Sequence, residues 1–275
     1  MKDAAATDVG TGDFRGRMYA SRAGSMDGPA TSSPPVPSRP PVTVVLIHGI
    51  GVSHRYLSRL HHQLAAIVDT VSIDLPGFGS TPHPDRQLTV ADQASFIHKV
   101  LDEAGVGQRV LVGHSMGAQF VLEAALQRPE MVPHLVLMGP VVDVRRRTVL
   151  RQALGLAKDA LLYETPASNM VVFTDYARCW PGWYLKQLKV MMNYPTEDRI
   201  RDWRGPVLVL RGASDPIASG EWCRILVGRA PDGQLVEIPG CGHVAQYTGA
   251  TQVSDAIVRF AGLEASTNAG KLPGV

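Results

Sequence analysis

The sequence predicts an α/β fold: a mostly parallel central sheet with helices on both faces, interrupted by a helical insertion. Three observations predict it. Short, nearly all-apolar runs rich in Val, Ile and Leu alternate with longer segments whose apolar residues recur at helical spacing. Glycine and proline cluster where one pattern gives way to the next. Between Pro140 and Gly205 the alternation stops, and the spacing is helical with no clear strand.

Each element can be justified in order. "FRGRMYASR" reads as a single edge strand after a loose N-terminus, and "GSMDGPATSSPPVPSRPP" as a flexible or extended linker. "VTVVLI" is β-branched and apolar throughout, as a strand buried on both faces must be. In "SHRYLSRLHHQLAAIV", Ser53 can cap a helix on which Tyr56, Leu57, Leu60, Leu64 and Ile67 share a face. "TVSIDL" is the next strand, closed by "PGFG"; "TVADQASFIHKVLDEAG" is a helix ending near Gly105. "RVLVG" and "HLVLMG" are strands, separated by the helix "SMGAQFVLEAALQR", which Pro129 stops. "PVLVLRG" and "QLVEIPG" complete the sheet, and "TQVSDAIVRFAG" is the last helix. The chain divides into an N-terminal segment (1–41), a core (42–140 and 206–264), a helical cap (141–205) and a tail (265–275).

Composition narrows the function. The chain has 275 residues, 45% hydrophobic and 19% charged, an ordinary globular balance. A net charge of +2 argues against a dedicated nucleic-acid binder. No run approaches the roughly 18 apolar residues of a membrane span, and the N-terminus lacks the apolar stretch of a secretory signal. Cys179, Cys223 and Cys241 are odd in number and scattered, which disfavours a disulfide framework or a zinc site and fits a reducing cytoplasm.

The chemistry centres on Gly113-His114-Ser115-Met116-Gly117, a G-x-S-x-G pentapeptide between a strand and a helix. A nucleophile on so tight a turn takes a strained backbone, and glycines two positions away relieve the crowding. The pentapeptide alone also suits a plain glycine-rich loop; its strand-to-helix context is what favours a nucleophile. A serine hydroxyl needs a base, and the base an orienting acid. His243, in the glycine-rich loop after the last strand, is the candidate base; Asp215, after the preceding strand, is the candidate acid. Asp143, just after "HLVLMG", is the alternative acid, and Asp74 a weaker one. The N–H groups of Met116 and Ile50, the latter in "HGIG", would hold an oxyanion, with His48 bracing that loop. The four arginines of "DVRRRTVLR" read mainly as a solvated face, with attraction of an anionic substrate as the alternative.

"HGIG", "DLPGFG", "GHSMG", "GASDPI" and "GCGH" stand in the order and at the spacings of the α/β-hydrolase family, which residues 42 to 262 resemble. The resemblance implies a triad of Ser115, Asp215 and His243, an oxyanion hole at Ile50 and Met116, and a cap lining the substrate pocket. The family's epoxide and haloalkane branches use an aspartate nucleophile, so Ser115 argues against both. The expected activity is hydrolysis of carboxylic esters, with a small-molecule substrate and no cofactor or metal. Carbon–carbon bond hydrolysis or cofactor-free perhydrolysis on the same triad, and ligand binding without turnover, are the alternatives. Trp180, Trp183, Tyr184, Met170, Met191 and Met192 of the cap are either its own core or the wall of an apolar pocket. The sequence does not give the oligomeric state.

Overall fold

The computed structural model describes residues 4–23 and 42–263. The linker read at 24–41 and the tail at 265–275 lie outside the described residues. Eight strands, β1 (Ala5–Thr11), β2 (Phe14–Ser21), β3 (Thr43–Ile47), β4 (Thr70–Asp74), β5 (Arg109–His114), β6 (His134–Met138), β7 (Val207–Gly212) and β8 (Gly233–Ile238), form one sheet. Their spatial order is β1-β2-β4-β3-β5-β6-β7-β8. All pairs from β4 to β8 are parallel; β1 and β2 are antiparallel to each other and β2 to β4.

The helices are α1 (Ser58–Ala65), α2 (Val90–Glu103), α3 (Met116–Gln127), α4 (Val149–Leu162), α5 (Pro166–Arg178), α6 (Pro181–Asn193), α7 (Thr196–Arg199), α8 (Gly220–Arg229), α9 (Ala245–Thr248) and α10 (Ala250–Phe260). The apolar strands feed two cores because successive side chains point to opposite faces. Val45, Ile47, Leu111, Leu137 and Val209 pack with Phe96 and Ile97 of α2, Phe120 and Val121 of α3 and Leu226 of α8. Val44, Leu46, Val110, Val112 and Leu210 pack with Leu60 and Leu64 of α1 and Val253 and Ile257 of α10. This two-sided burial explains why the strands read as continuous apolar runs.

The structure changes two sequence expectations at the periphery. Residues 5–11 are not loose: Ala5–Thr11 is the edge strand and "FRGRMYAS" the second strand, joined by a two-residue Gly12-Asp13 turn with Gly12 at φ +57°. The edge strand, "AATDVGT", is mixed in polarity and largely exposed, so it carries no hydrophobic signature. The helix after Ser53 starts as a 3₁₀ turn (His54–Leu57) and ends at Ala65. Tyr56, Leu57, Leu60 and Leu64 are buried, whereas Ile67 lies past the helix and is exposed.

The stretch between β6 and β7 holds α4 to α7 and no strand. It sits over the carboxyl ends of the strands. Trp183 of α6 is fully buried against Phe78 and against Gly77, which turns at φ +84° in "LPGFG". Asp175 of α5 accepts hydrogen bonds from the Ser53 N–H (3.0 Å) and hydroxyl (2.6 Å) and pairs with Arg55 at 2.8 Å.

The junction of β5 and α3 is packed backbone to backbone. A Cβ on Gly117 would lie 2.5 Å from the Ile47 carbonyl oxygen and 2.6 Å from that of His48, and one on Gly113 would strike the carbonyl of Gly117. Gly117→Ala is therefore expected to cost about 1–3 kcal/mol, the usual penalty of overpacking, read as a lower midpoint in urea unfolding. An unchanged midpoint would contradict this packing.

Candidate active site

Ser115 occupies the one-residue turn from β5 to α3 with φ +57° and ψ −120°. Only one other described non-glycine residue, Val142, has a positive φ. Such a backbone costs on the order of 1–3 kcal/mol and persists where its surroundings over-determine it. Here the Ser115 N–H donates to the Met138 carbonyl (2.9 Å), and the Ser115 carbonyl accepts from Ala118 N–H (3.1 Å). The turn aims the side chain off the end of the sheet at the N-terminus of α3, where unpaired N–H groups and the helix dipole favour negative charge.

Asp215 and His243 come from the loops after β7 and β8. His243 Nδ1 donates to Asp215 Oδ2 at 2.8 Å, both groups buried. The other carboxylate oxygen, Oδ1, accepts the N–H groups of Ile217 (2.8 Å) and Ala218 (2.9 Å). The buried Arg211 guanidinium fixes the loop through the carbonyls of Ala218 (2.7 Å) and Asp215 (3.0 Å). Burial alone would lower the His243 pKa, but the facing Asp215 charge and hydrogen bond outweigh it and raise it. For Asp215, burial is outweighed in turn by the His243 charge and the donated hydrogen bonds, which hold its carboxyl low. Gly139, at φ +50°, makes room for this pair: a Cβ there would lie 3.1 Å from the His243 ring.

Asp143 and Asp74 are committed elsewhere. Asp143 caps the 3₁₀ turn that follows it, pairs with Arg145 and accepts from Ser219 Oγ at 3.2 Å. Asp74 binds the N–H (2.6 Å) and ring (2.8 Å) of His54. Arg145 also pairs with Glu221 of α8, which ties the insertion to the core, and Arg147 pairs with Glu197 at 2.8 Å within the insertion.

The "HGIG" loop lies beside the serine. A Cβ on Gly49 would be 3.0 Å from that of Ser115. His48 braces the loop, its Nδ1 donating to the Gly49 carbonyl (2.7 Å) and its Nε2 accepting from Leu75 N–H (3.1 Å). Among the described residues no hydrogen bond engages the N–H of Ile50 or Met116.

Tyr56, read from sequence only as a core position, joins the two sides of the site. Its hydroxyl accepts Gly49 N–H (2.7 Å) and donates to His114 Nδ1 (2.7 Å); His114 Nε2 then donates to the His243 carbonyl (2.9 Å). Burial holds His114 down to about 3, so it stays neutral with the proton on Nε2.

Ser115, His243, Gly49 and Ile50 open onto a cavity of about 750 Å³. Its walls are mostly apolar and come largely from α4, α5 and α6, with Ala153, Leu156, Val172, Leu188 and Ile217 among them. Tyr184 and Met191 line it too, whereas Trp183 is core and Trp180 and Met170 are exposed.

Residues 44–256 match the model of the Alpha/beta hydrolase family. The chain belongs to this family. It is an enzyme of the family, similar over 238 residues to a Klebsiella pneumoniae (strain 342) protein named as a carbamate hydrolase, RutD (28% identity, 78% of this chain, 89% of the relative). It is similar also to a pimeloyl-[acyl-carrier protein] methyl ester esterase of Aromatoleum aromaticum (26%, 73% and 90%). The fold matches the crystal structure of E-2-(acetamidomethylene)succinate hydrolase with a TM-score of 0.76 at 18% identity, covering 94% of this chain and 98% of that one. Among the described residues of this family member no helix is long and apolar enough to cross a membrane.

Tyr56→Phe leaves the Gly49 N–H and His114 Nδ1 without their shared partner. It is expected to lower stability by about 1–3 kcal/mol, the cost of buried unpaired polar groups. Urea unfolding of the variant checks this, and equal midpoints would show that the Gly49–Tyr56–His114 chain carries no weight.

Proposed function

We propose that the protein hydrolyses predominantly apolar carboxylic esters through an acyl-enzyme on Ser115, with the 141–205 insertion serving as the cap of the site. The observation that carries this reading is the Asp215–His243 hydrogen bond at the rim of an apolar cavity that Ser115 shares. Asp215 holds the proton on His243 Nδ1 and so leaves Nε2 as the base. His243 removes the Ser115 proton as Oγ attacks the ester carbonyl, and the oxyanion is held by the N–H groups of Ile50 and Met116. His243 returns the proton to the leaving alcohol. It then takes a proton from water, whose oxygen attacks the acyl carbonyl, and gives that proton to Ser115 as the acid is freed.

The acyl group belongs to the apolar wall. Val149, Leu161, Phe173 and Leu185 are exposed yet line the same cavity, so the mouth as well as the interior favours apolar matter. A relative named as a methyl ester esterase supports the reaction class.

A panel of 4-nitrophenyl esters of rising chain length tests the reading. Turnover is expected, and Ser115→Ala is expected to reduce it by at least about 10³-fold. Persistence of turnover in Ser115→Ala would overturn the assignment of the nucleophile. Because the base works neutral and its pKa is raised, kcat/KM is expected to fall as pH drops, with a midpoint above the ordinary histidine value of 6.5. Asp215→Asn removes the raising charge, so the midpoint moves down while turnover falls by about 10⁴-fold. An acid limb unmoved by that substitution would exclude Asp215 as the partner of the base.

A further inference from the structure

Two carboxylates in the cavity take no part in the steps above. Asp159, on α4, is buried in the helical stretch "GLAKDALL". Its Oδ1 accepts the backbone N–H of His243 at 2.8 Å. Glu164, just beyond α4, accepts the backbone N–H of Val244 on Oε1 at 2.9 Å, and its Oε2 accepts from Ser168 Oγ at 2.9 Å. Gly242 lets both approach, since a Cβ there would strike Asp159 Oδ1 and lie 3.0 Å from Glu164 Oε1. The insertion thus grips the loop that carries His243 by the backbone of two successive residues. Both carboxylates also line the cavity.

The charge balance of that cavity is one-sided. Among the described residues that line it there is no lysine and no arginine; Arg145 and Arg147 of "DVRRRTVLR" are turned to ion pairs outside it. Burial raises the pKa of both groups, that of Glu164 to about 6, so at pH 8 Glu164 is ionised in a poorly solvated place. A unit charge several ångströms from a second one, at the effective dielectric of a protein site, changes affinity by about tenfold or more.

We propose that Asp159 and Glu164 act as positioning residues for the His243 loop and as a charge filter that bars anionic substrates from the cavity. The positioning half rests on His243 being the base, as proposed above; the filter does not. The substrate class is thereby narrowed to esters whose acyl and alcohol parts are uncharged or cationic. The acid released by hydrolysis ionises in the same field and is driven out of the site.

Fluorescence titration at pH 8 with neutral N-phenyl-1-naphthylamine and anionic 1-anilinonaphthalene-8-sulfonate tests the filter without relying on turnover. Wild type is expected to favour the neutral dye. Asp159→Asn/Glu164→Gln keeps the hydrogen-bond acceptors and is expected to tighten the anionic dye by about tenfold or more, with the neutral dye changed less than threefold. A parallel change in both dyes, or none in the anionic one, would overturn the proposal. Glu164→Gln alone, for the case in which the double variant does not fold, should shift the anionic dye several-fold in the same direction; no shift there also overturns it. In the ester assay, the preference for 4-nitrophenyl butyrate over 4-nitrophenyl hydrogen succinate should narrow in the double variant by a similar factor. Hydrolysis of neither ester by wild type would count against the ester reading alone, and the dyes would still decide the filter.

Discussion

The site depends on one backbone constraint: a serine held at positive φ in the single residue between a strand and a helix. That conformation is unfavourable for a side chain with a Cβ. It survives because every neighbour fits it. Gly113 and Gly117 let the turn close on itself and on the end of β3, and the Ser115 N–H is tied to β6 through Met138. Once the turn is fixed, Ser115 stands off the sheet at the start of α3, with the Gly49 loop against it. The parallel sheet does the rest, delivering the loops of Asp215 and His243 to the same end of the strands.

The insertion is bound to both sides of this end by carboxylates rather than by apolar packing alone. Asp175 takes the N–H and hydroxyl of Ser53, next to the "HGIG" loop; Asp159 and Glu164 take the N–H groups of His243 and Val244. Between these attachments lies the apolar cavity. The polar groups therefore fix geometry at the rim, and the apolar residues form the proposed acyl site in the middle. The Gly49–Tyr56–His114–His243 chain runs beneath and connects the proposed oxyanion loop to the backbone of the proposed base.

Much of this was legible in the sequence, for identifiable reasons. A strand buried on both faces leaves an apolar run, and a crowded turn leaves its glycines, so β3 to β7 and the Ser115 junction could be read locally. Asp215 and His243 were legible because their loops follow strands in order. The sequence ranks Asp215 above Asp143 although both follow strands, and the fold adds that Asp143 is turned to Arg145 and Ser219. Asp159, Glu164 and Asp175 were missed because a carboxylate that accepts a distant backbone N–H has no local pattern. The lone acid in "GLAKDALL" was the available hint. Tyr56 was placed as a core residue by its spacing, which is true of its ring and silent about its hydroxyl. The edge strand β1 was missed because an exposed strand need not be apolar.

The central claim is that Ser115, activated by His243, forms a covalent acyl-enzyme. The most direct measurement is peptide mapping by mass spectrometry after brief exposure of the folded protein to a fluorophosphonate, beside His243→Ala treated in the same way. A single adduct on Ser115, greatly slowed in His243→Ala, is the predicted result. No adduct on Ser115, or an adduct formed equally fast without His243, would contradict the account.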